Sequence, residues 1–525
     1  MGWTFLWAAK RWPTAVGLCA AVMAAAAHAA TPPPPLPPGT DPDTAAWWTL
    51  TAHLADDDME GRDTGSAGYA RAAAYVVDHF KAAGLRPAGD DGSWYQTVPL
   101  SEVRVETVGT RFDIVRQGAP ATSLTFLHDI SVRPTDALPE TLEGPLSFRG
   151  YCGPADMGAD MRGRIAVCFG GRRSGAPGAA TRLKAAADAG ALGLIVVDDP
   201  GFTLEPARWP EAYARSITIR GDAPPPSPNV AVMRLSAAAF ADLILGSGQD
   251  PAAILAAGSA SRQLPIFDIP ARLSARFTIT EQDFTSDNVL GLLPGTDPAL
   301  KAQTVVVSAH LDGYGFGEPV FGDDLYNGAF DDAAYVATLI RLAEQRQGQG
   351  FRRGVLFAAF TGEEKGLLGA TWFTRHPTVP KADLAADINL DQLRPLFPLK
   401  ILTMHAVNDT TLGDTVRSVA GPMGIEIRAD REPDRHLLER ADHWPFLKIG
   451  VPATGFVFGY DPGTEAERRY REWYQIRYHR PQDDMTQPID FQAAADFNTF
   501  FYRLTAAVAD ADQRPAFLPG SAFRP

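Results

Sequence analysis

Val355-Leu-Phe-Ala-Ala-Phe-Thr-Gly-Glu-Glu364 is the stretch whose reading decides the fold. Its apolar run is too short for a helix and lacks the alternation of a half-exposed strand, so it reads as a buried strand. The run then breaks at Gly362 and delivers two acids side by side. Working outward, residues 288–293, 304–309 and 385–390 read as further strands, while 333–345 and 367–373 carry helical spacing. Strands alternating with helices imply an α/β fold, a mixed and largely parallel sheet flanked by helices. In such sheets sites form beyond the carboxyl ends of the strands.

The residues at those ends are acids and histidines. Val305-Val-Val-Ser-Ala-His310-Leu-Asp312 ends a strand in His-x-Asp. On extended backbone residues two apart point the same way, so Asp312 is placed to accept a hydrogen bond from His310 and fix its tautomer. Asp331 and Asp332 open the helix beginning near 333; an acid pair there ordinarily caps the helix and complements its dipole. Between two other ligand-type signals Asp331 becomes a candidate bridge between metals, with Asp332 left as the cap. Two adjacent carboxylates at the mouth of a buried strand are costly unless a cation neutralises one. One of Glu363 and Glu364 is then a ligand and the other a general base toward water. Asp391 ends another strand, and Tyr478-His479-Arg-Pro481 adds a histidine before a turn. His310, Asp331, one of Glu363 and Glu364, Asp391 and His479 make a five-ligand inventory of the kind metal-assisted hydrolysis requires.

The rest of the chain sets limits. Of 525 residues, 45% are hydrophobic and 21% charged, the composition of a soluble globular protein long enough for two or three domains. A net charge of −14 argues against nucleic acid and anionic membranes as main partners. Lys10 and Arg11 precede an apolar stretch over 15–27 that ends in Ala27-His28-Ala29, the pattern of a signal peptide over 1–29. That apolar stretch is too short to span a bilayer comfortably, and Leu18 makes Cys19 a poor lipid anchor. A proline-rich linker over 30–42 follows. Removal of the leader would leave Cys152 and Cys168, which either pair in an oxidising compartment or stay as buried thiols; their spacing does not decide. There is no internal repeat. Residues 43–140 read as the first part of the main domain, with a helix over 68–83 stopped by Gly84. From 141 to 265 the texture changes to short strands at 165–169 and 192–197 around an alanine-rich helix at 179–189, with a rigid connection at Pro224-Pro-Pro226 and Pro228. This block, almost free of histidine, reads as a β-rich insert that shapes access. Residues 266–525 carry the chemistry.

The chain resembles the zinc-dependent aminopeptidases of the M28 type, a family similar to bacterial leucyl aminopeptidases and glutamate carboxypeptidase II. The likeness covers nearly the whole mature chain. It rests on the strand-end acids and histidines above, on Leu54-Ala-Asp-Asp-Asp-Met-Glu-Gly-Arg62, and on Phe80-Lys-Ala-Ala-Gly-Leu85. Met161-Arg-Gly-Arg-Ile165 and Lys184-Ala-Ala-Ala-Asp-Ala-Gly190 resemble a protease-associated insert. The resemblance implies two zinc ions. His310 and Asp391 would be terminal ligands of one, Glu364 and His479 of the other, with Asp331 bridging. It further implies Glu363 as general base, Asp312 as the residue orienting His310, and Tyr478 as a group steadying the oxyanion. Arg440-Ala-Asp442-His443 is similar to a family Ser-Asp-His motif near the substrate, with alanine in place of serine. A second departure is the stretch 313–326, whose Tyr314, Phe316, Phe321 and Tyr326 form either a pocket wall or a surface loop.

The implied activity is that of an exported exopeptidase that takes residues from the N-terminus of peptides. Other readings are a glutamate-type carboxypeptidase drawing on Arg394, Arg440 or Arg471, a glutaminyl cyclase, or a non-catalytic receptor-like relative. The last predicts lost ligands, and all five are present.

Overall fold

A central sheet runs in the order Ala453–Thr454, Leu384–Asn389, Thr304–His310, Gly354–Phe360, Ile279–Leu293, Tyr95–Val105, Ala214–Ile219, with Arg86–Pro87 alongside Ile279–Leu293. The computed structural model that shows it describes residues 35–135, 137–171, 175–202, 212–222 and 229–524. The signal-peptide reading of 1–29, Cys19, the first part of the linker and the proline connection at 224–228 lie outside the described residues.

The first four strands are parallel, and every residue of Thr304–His310, Gly354–Phe360 and Leu384–Asn389 is buried. Burial on both faces is why these strands read as unbroken apolar runs. The other half is antiparallel, so the sheet is mixed rather than largely parallel. Ile279–Leu293 begins well before the expected 288 because its first half is polar and solvent-facing.

Helices cover the parallel half. Pro42–Leu54 starts where the linker ends, with Asp41 accepting from the Asp43 and Thr44 amides at 3.0 and 2.9 Å and proline in the first turn. Ala67–Ala82 is capped by Ser66 and stopped by Gly84 at φ +78°. Its Ala72, Val76, Val77 and Phe80 join the core against the sheet, Phe80 meeting Phe357 edge-on at 5.8 Å.

A second sheet of eight strands has its own core around Phe112, Phe148, Phe169, Ile195 and Leu273. Its strands run from Arg111–Val115 to Ile266–Arg276, beyond both ends of the 141–265 block. The early strands Thr122–Leu124 and Ile130–Val132 are too short to leave a periodic signal. Within the same span, Ala214–Ile219 pairs with Tyr95–Val105 and completes the edge of the central sheet. Cys152 and Cys168 form a disulfide, fully buried beside Met161 and Leu194.

One buried side chain ties the N-terminal segment to the strand ends. Arg62 donates to the carbonyls of Leu54 and Asn327 at 2.7 Å and of Leu311 and Gly328 at 2.9 Å. Those carbonyls belong to the helix before it and to the two segments that carry His310 and Asp331.

Two stability effects follow. Replacing Arg62 by Met leaves buried carbonyls without donors and should cost several kcal/mol, on the order of 3–5, read as a lower urea midpoint; a loss below about 1 kcal/mol would mean water replaces the guanidinium. The Cys152→Ala/Cys168→Ala double variant opens a link between residues 16 apart in sequence and should lose about 3 kcal/mol. An unchanged unfolding midpoint would show that the bridge carries no stability.

Candidate active site

The carboxyl ends of the parallel strands converge on Asp331. Its Oδ1 lies 3.4 Å from His310 Nε2, and its Oδ2 lies 3.4 Å from His479 Nε2. One carboxylate therefore faces a histidine with each oxygen. Glu364 Oε2 is 3.5 Å from His479 Nε2, and Glu363 Oε2 is 3.9 Å from His310 Nε2. Three triads bring their ligand atoms within 4.8 Å of one another: His310, Asp331 and Asp391; Asp331, Glu364 and His479; His310, Glu363 and Glu364. Asp331 joins the first two, and Glu364 joins the last two.

Several of these atoms make no hydrogen bond among the described residues. His310 Nε2, Asp331 Oδ2 and Glu364 Oε1 are buried with no hydrogen bond among the described residues. Buried polar atoms are ordinarily satisfied, so a shared set of orphans aimed at one space fits a cation held there. The electrostatics agree. Burial pushes the Glu363, Glu364 and Asp391 carboxyls above the usual range. Asp331 resists the same burial: Arg394 and the two histidines hold its carboxyl well below that range. Burial works against a charge on His310, but Glu363, Asp332 and Asp331 outweigh it and raise its pKa well above normal. A cluster this acidic and this dry is short of positive charge.

The surrounding side chains fix the set. His310 Nδ1 lies 3.0 Å from the main-chain carbonyl of Asp312, whereas the Asp312 carboxylate is 3.8 Å away. The hydrogen bond expected of that carboxylate is thus made by its own backbone. The carboxylate accepts instead from the Glu363 amide at 3.0 Å and from Thr64 Oγ1 at 2.9 Å, holding the turn that presents both glutamates. Asp332 does not cap the helix as expected. The helix Ala334–Arg346 has no side-chain cap, and Asp332 accepts the His310 amide at 3.2 Å. The backbone at 331 and 332 is not helical, so its carboxylate turns back toward the strand end. Arg394, considered only as a substrate contact, is fully buried. It donates to the Phe330 and Leu393 carbonyls at 2.9 and 2.7 Å and sits 3.4 Å from Asp331 Oδ1. Neither Arg62 nor Arg394 carried a local signal beyond its place beside a motif.

A cavity of about 270 Å³ opens on the cluster, lined by Asp331, Glu363, Glu364, Asp391 and His479 together with Tyr314, Leu367, Glu439, Arg440 and Tyr478. A larger cleft of about 1000 Å³ lies between the insert and residues 434–440. It contains none of the candidate ligands, so the chemistry belongs to the smaller cavity. Arg440 borders both. Its Nη2 donates to the Tyr478 hydroxyl at 3.2 Å, and the Tyr478 ring stacks on His479 at 3.7 Å. Arg471 is committed to Glu432. Asp442 is buried behind the site with no hydrogen bond to its carboxyl among the described residues, and His443 meets His405 at 3.2 Å. The 313–326 stretch splits its aromatics: Tyr314 and Tyr326 face the site, while Phe316 and Phe321 stand 57% and 93% exposed on a hairpin.

Residues 288–505 match the model of peptidase family M28. A segment is 28% identical over 196 residues to a probable zinc metalloprotease of Pyrenophora tritici-repentis, covering 31% of this chain and 44% of that protein. Another is 24% identical over 207 residues to aminopeptidase YwaD of Bacillus subtilis, covering 38% and 40%. The matched segments thus span less than half the length of these curated relatives. The fold extends further: an aminopeptidase from Aneurinibacillus sp. strain AM-1 superposes with a TM-score of 0.58 at 17% identity, over 93% of this chain and 96% of that one. The stretch that matches the peptidase family M28 model holds every candidate ligand described above, so the likeness falls on the residues that form the site.

Proposed function

We propose that this chain is an exported di-zinc aminopeptidase that releases N-terminal residues from peptides. The observation that carries the reading is the Asp331 carboxylate, set between His310 and His479 with one oxygen toward each. His310, Asp331 and Asp391 would hold one ion, and Asp331, Glu364 and His479 the other. Bound there, zinc would supply Lewis acidity and make water a competent nucleophile near neutral pH.

The remaining steps belong to the chain. Glu363, in the cavity but outside those two triads, takes a proton from the attacking water on its carboxylate and returns it to the departing amine. The Asp312 carboxylate, through the Glu363 amide, keeps that base in place. Tyr478, steadied by Arg440, points a hydroxyl at the cavity, where it can donate to the oxygen of the scissile carbonyl as charge develops. Glu439 is the one acid among the residues named on the cavity lining that lies outside the buried cluster, and it is exposed at the rim, where it suits a substrate ammonium group. Arg440, a cation on the cavity lining, is the observation that favours a carboxypeptidase.

Export is supported by the signal-like N-terminus and by the Cys152–Cys168 bridge, a bond that persists in oxidising compartments. Among the described residues no helix is long and apolar enough to cross a membrane.

Aminoacyl anilides with a free amine should be hydrolysed and their N-acetylated counterparts should not. A chelator should abolish the activity and zinc restore it; cleavage of both substrate types at similar rates would sink the aminopeptidase reading. Glu363→Gln should lower kcat by about 10²–10⁴-fold while zinc content stays at the parent level. If that variant loses zinc, the roles of the two glutamates are exchanged.

A further inference from the structure

A histidine that binds metal through Nε2 keeps its proton on Nδ1, and an acceptor for that proton fixes both tautomer and ring angle. For His310 the acceptor is the Asp312 carbonyl. For His479 the group in reach is Tyr314, whose hydroxyl lies 3.2 Å from Nδ1 with the rings 4.9 Å apart. Tyr326, on the same hairpin, places its hydroxyl on the Glu318 carbonyl at 2.8 Å. Of the two inward tyrosines, Tyr314 is thus the one shown with its hydroxyl at a candidate ligand.

Tyr314 is in turn clamped from behind. Lys365, the residue after Glu364, is 3% exposed and places Nζ 4.7 Å from the Tyr314 ring centre and 5.0 Å from that of Tyr213. The same ammonium donates to the Gly313 carbonyl at 2.9 Å and pairs with Asp63 at 3.4 Å. An ammonium set over two neighbouring aromatic rings, whose centres are 6.1 Å apart, is held electrostatically as well as by packing. Tyr213 lies next to Ala214–Ile219, the strand that the inserted span lends to the central sheet. Arg215 on that strand anchors it, pairing with Asp63 and with Glu102 Oε2 at 2.7 Å while lying over the Tyr213 ring at 4.5 Å. An unbroken series of contacts therefore runs from the inserted span through Tyr213, Lys365 and Tyr314 to His479.

We propose that Tyr314, held by Lys365 against Tyr213, is the positioning residue of His479, and that the inserted span is thereby a support of one metal position. The proposal rests on the di-zinc reading, and it gives the 313–326 hairpin and the insert a task beyond shaping access. It predicts selectivity: the position built on Glu364 and His479 depends on this clamp, and the position built on His310 and Asp391 does not.

The test is stepwise zinc affinity, measured by chelator competition on the full chain, with the unfolding midpoint of the metal-free protein followed in parallel. Tyr314→Phe keeps the ring and removes the hydroxyl. It should weaken one of the two binding steps by about 10–100-fold, leaving the other step and the metal-free midpoint as in the parent. Tyr213→Leu, outside the metal cluster, should weaken the same step by a smaller factor. Two unchanged steps in Tyr314→Phe, or equal weakening of both, would overturn the positioning role, and an unchanged Tyr213→Leu would remove the inserted span from it. A parent chain that binds no zinc overturns the di-zinc reading itself, an outcome separate from those of the variants.

Discussion

Carboxylates do not gather in a dry space unless something positive holds them. At the carboxyl edge of the parallel strands Asp331, Glu363, Glu364 and Asp391 are gathered in one, and the residues named around them supply Arg394, His310 and His479 as counter-charge. Taking a carboxylate out of water costs several kcal/mol even after relaxation. The arrangement is therefore of a kind that a bound cation would stabilise, and the neighbouring architecture serves to keep the acids from moving apart. Arg394 stands behind Asp331, and the Asp312 carboxylate grips the glutamate turn from the backbone side.

Holding acids in place also means holding irregular backbone in place. The segments that carry them leave regular structure just where they reach the site, and carbonyls freed there need donors inside the protein. Arg62 answers for three of them and for the Leu54 helix-end carbonyl as well, and four are more than any neutral side chain could serve. The irregularity is also visible in torsions. Arg62, Leu367, Gln392 and His479 all lie at positive φ without being glycine, between 51° and 59°. Such conformations persist only where the surroundings over-determine them, and they gather at functional sites.

What could be read from the amino acids followed from how completely each element is buried. The strands around His310, Glu363 and Asp391 are dry on both faces, so their apolar runs and terminal acids stood out in the sequence. Tyr95–Val105 and the first half of Ile279–Leu293 are partly wet, and their mixed composition hid an antiparallel half of the sheet. Asp312 and Asp332 were recognised as important residue types but assigned the wrong bonds. Which atom of an acid meets which donor depends on where the chain turns, and that is a tertiary fact. Arg62, Arg394 and Lys365 escaped for a related reason: an arginine or lysine in a sequence looks solvated, and only packing reveals one that is not. The aromatic loop was legible as a pair of alternatives, and the structure used both, with two rings inward and two outward.

The strand Ala214–Ile219 has a consequence for how this architecture could be cut or recombined. It lies in the middle of the inserted span by chain order, yet its partner is Tyr95–Val105 in the central sheet. Excising the span at its two natural-looking ends would strip a strand from the catalytic half. The bared edge would then offer open amide and carbonyl groups to any other chain, a recognised seed of aggregation. A lineage or an engineer wishing to shed the insert must leave residues 212–222 behind or blunt the newly exposed edge, so the two parts are woven together rather than merely joined.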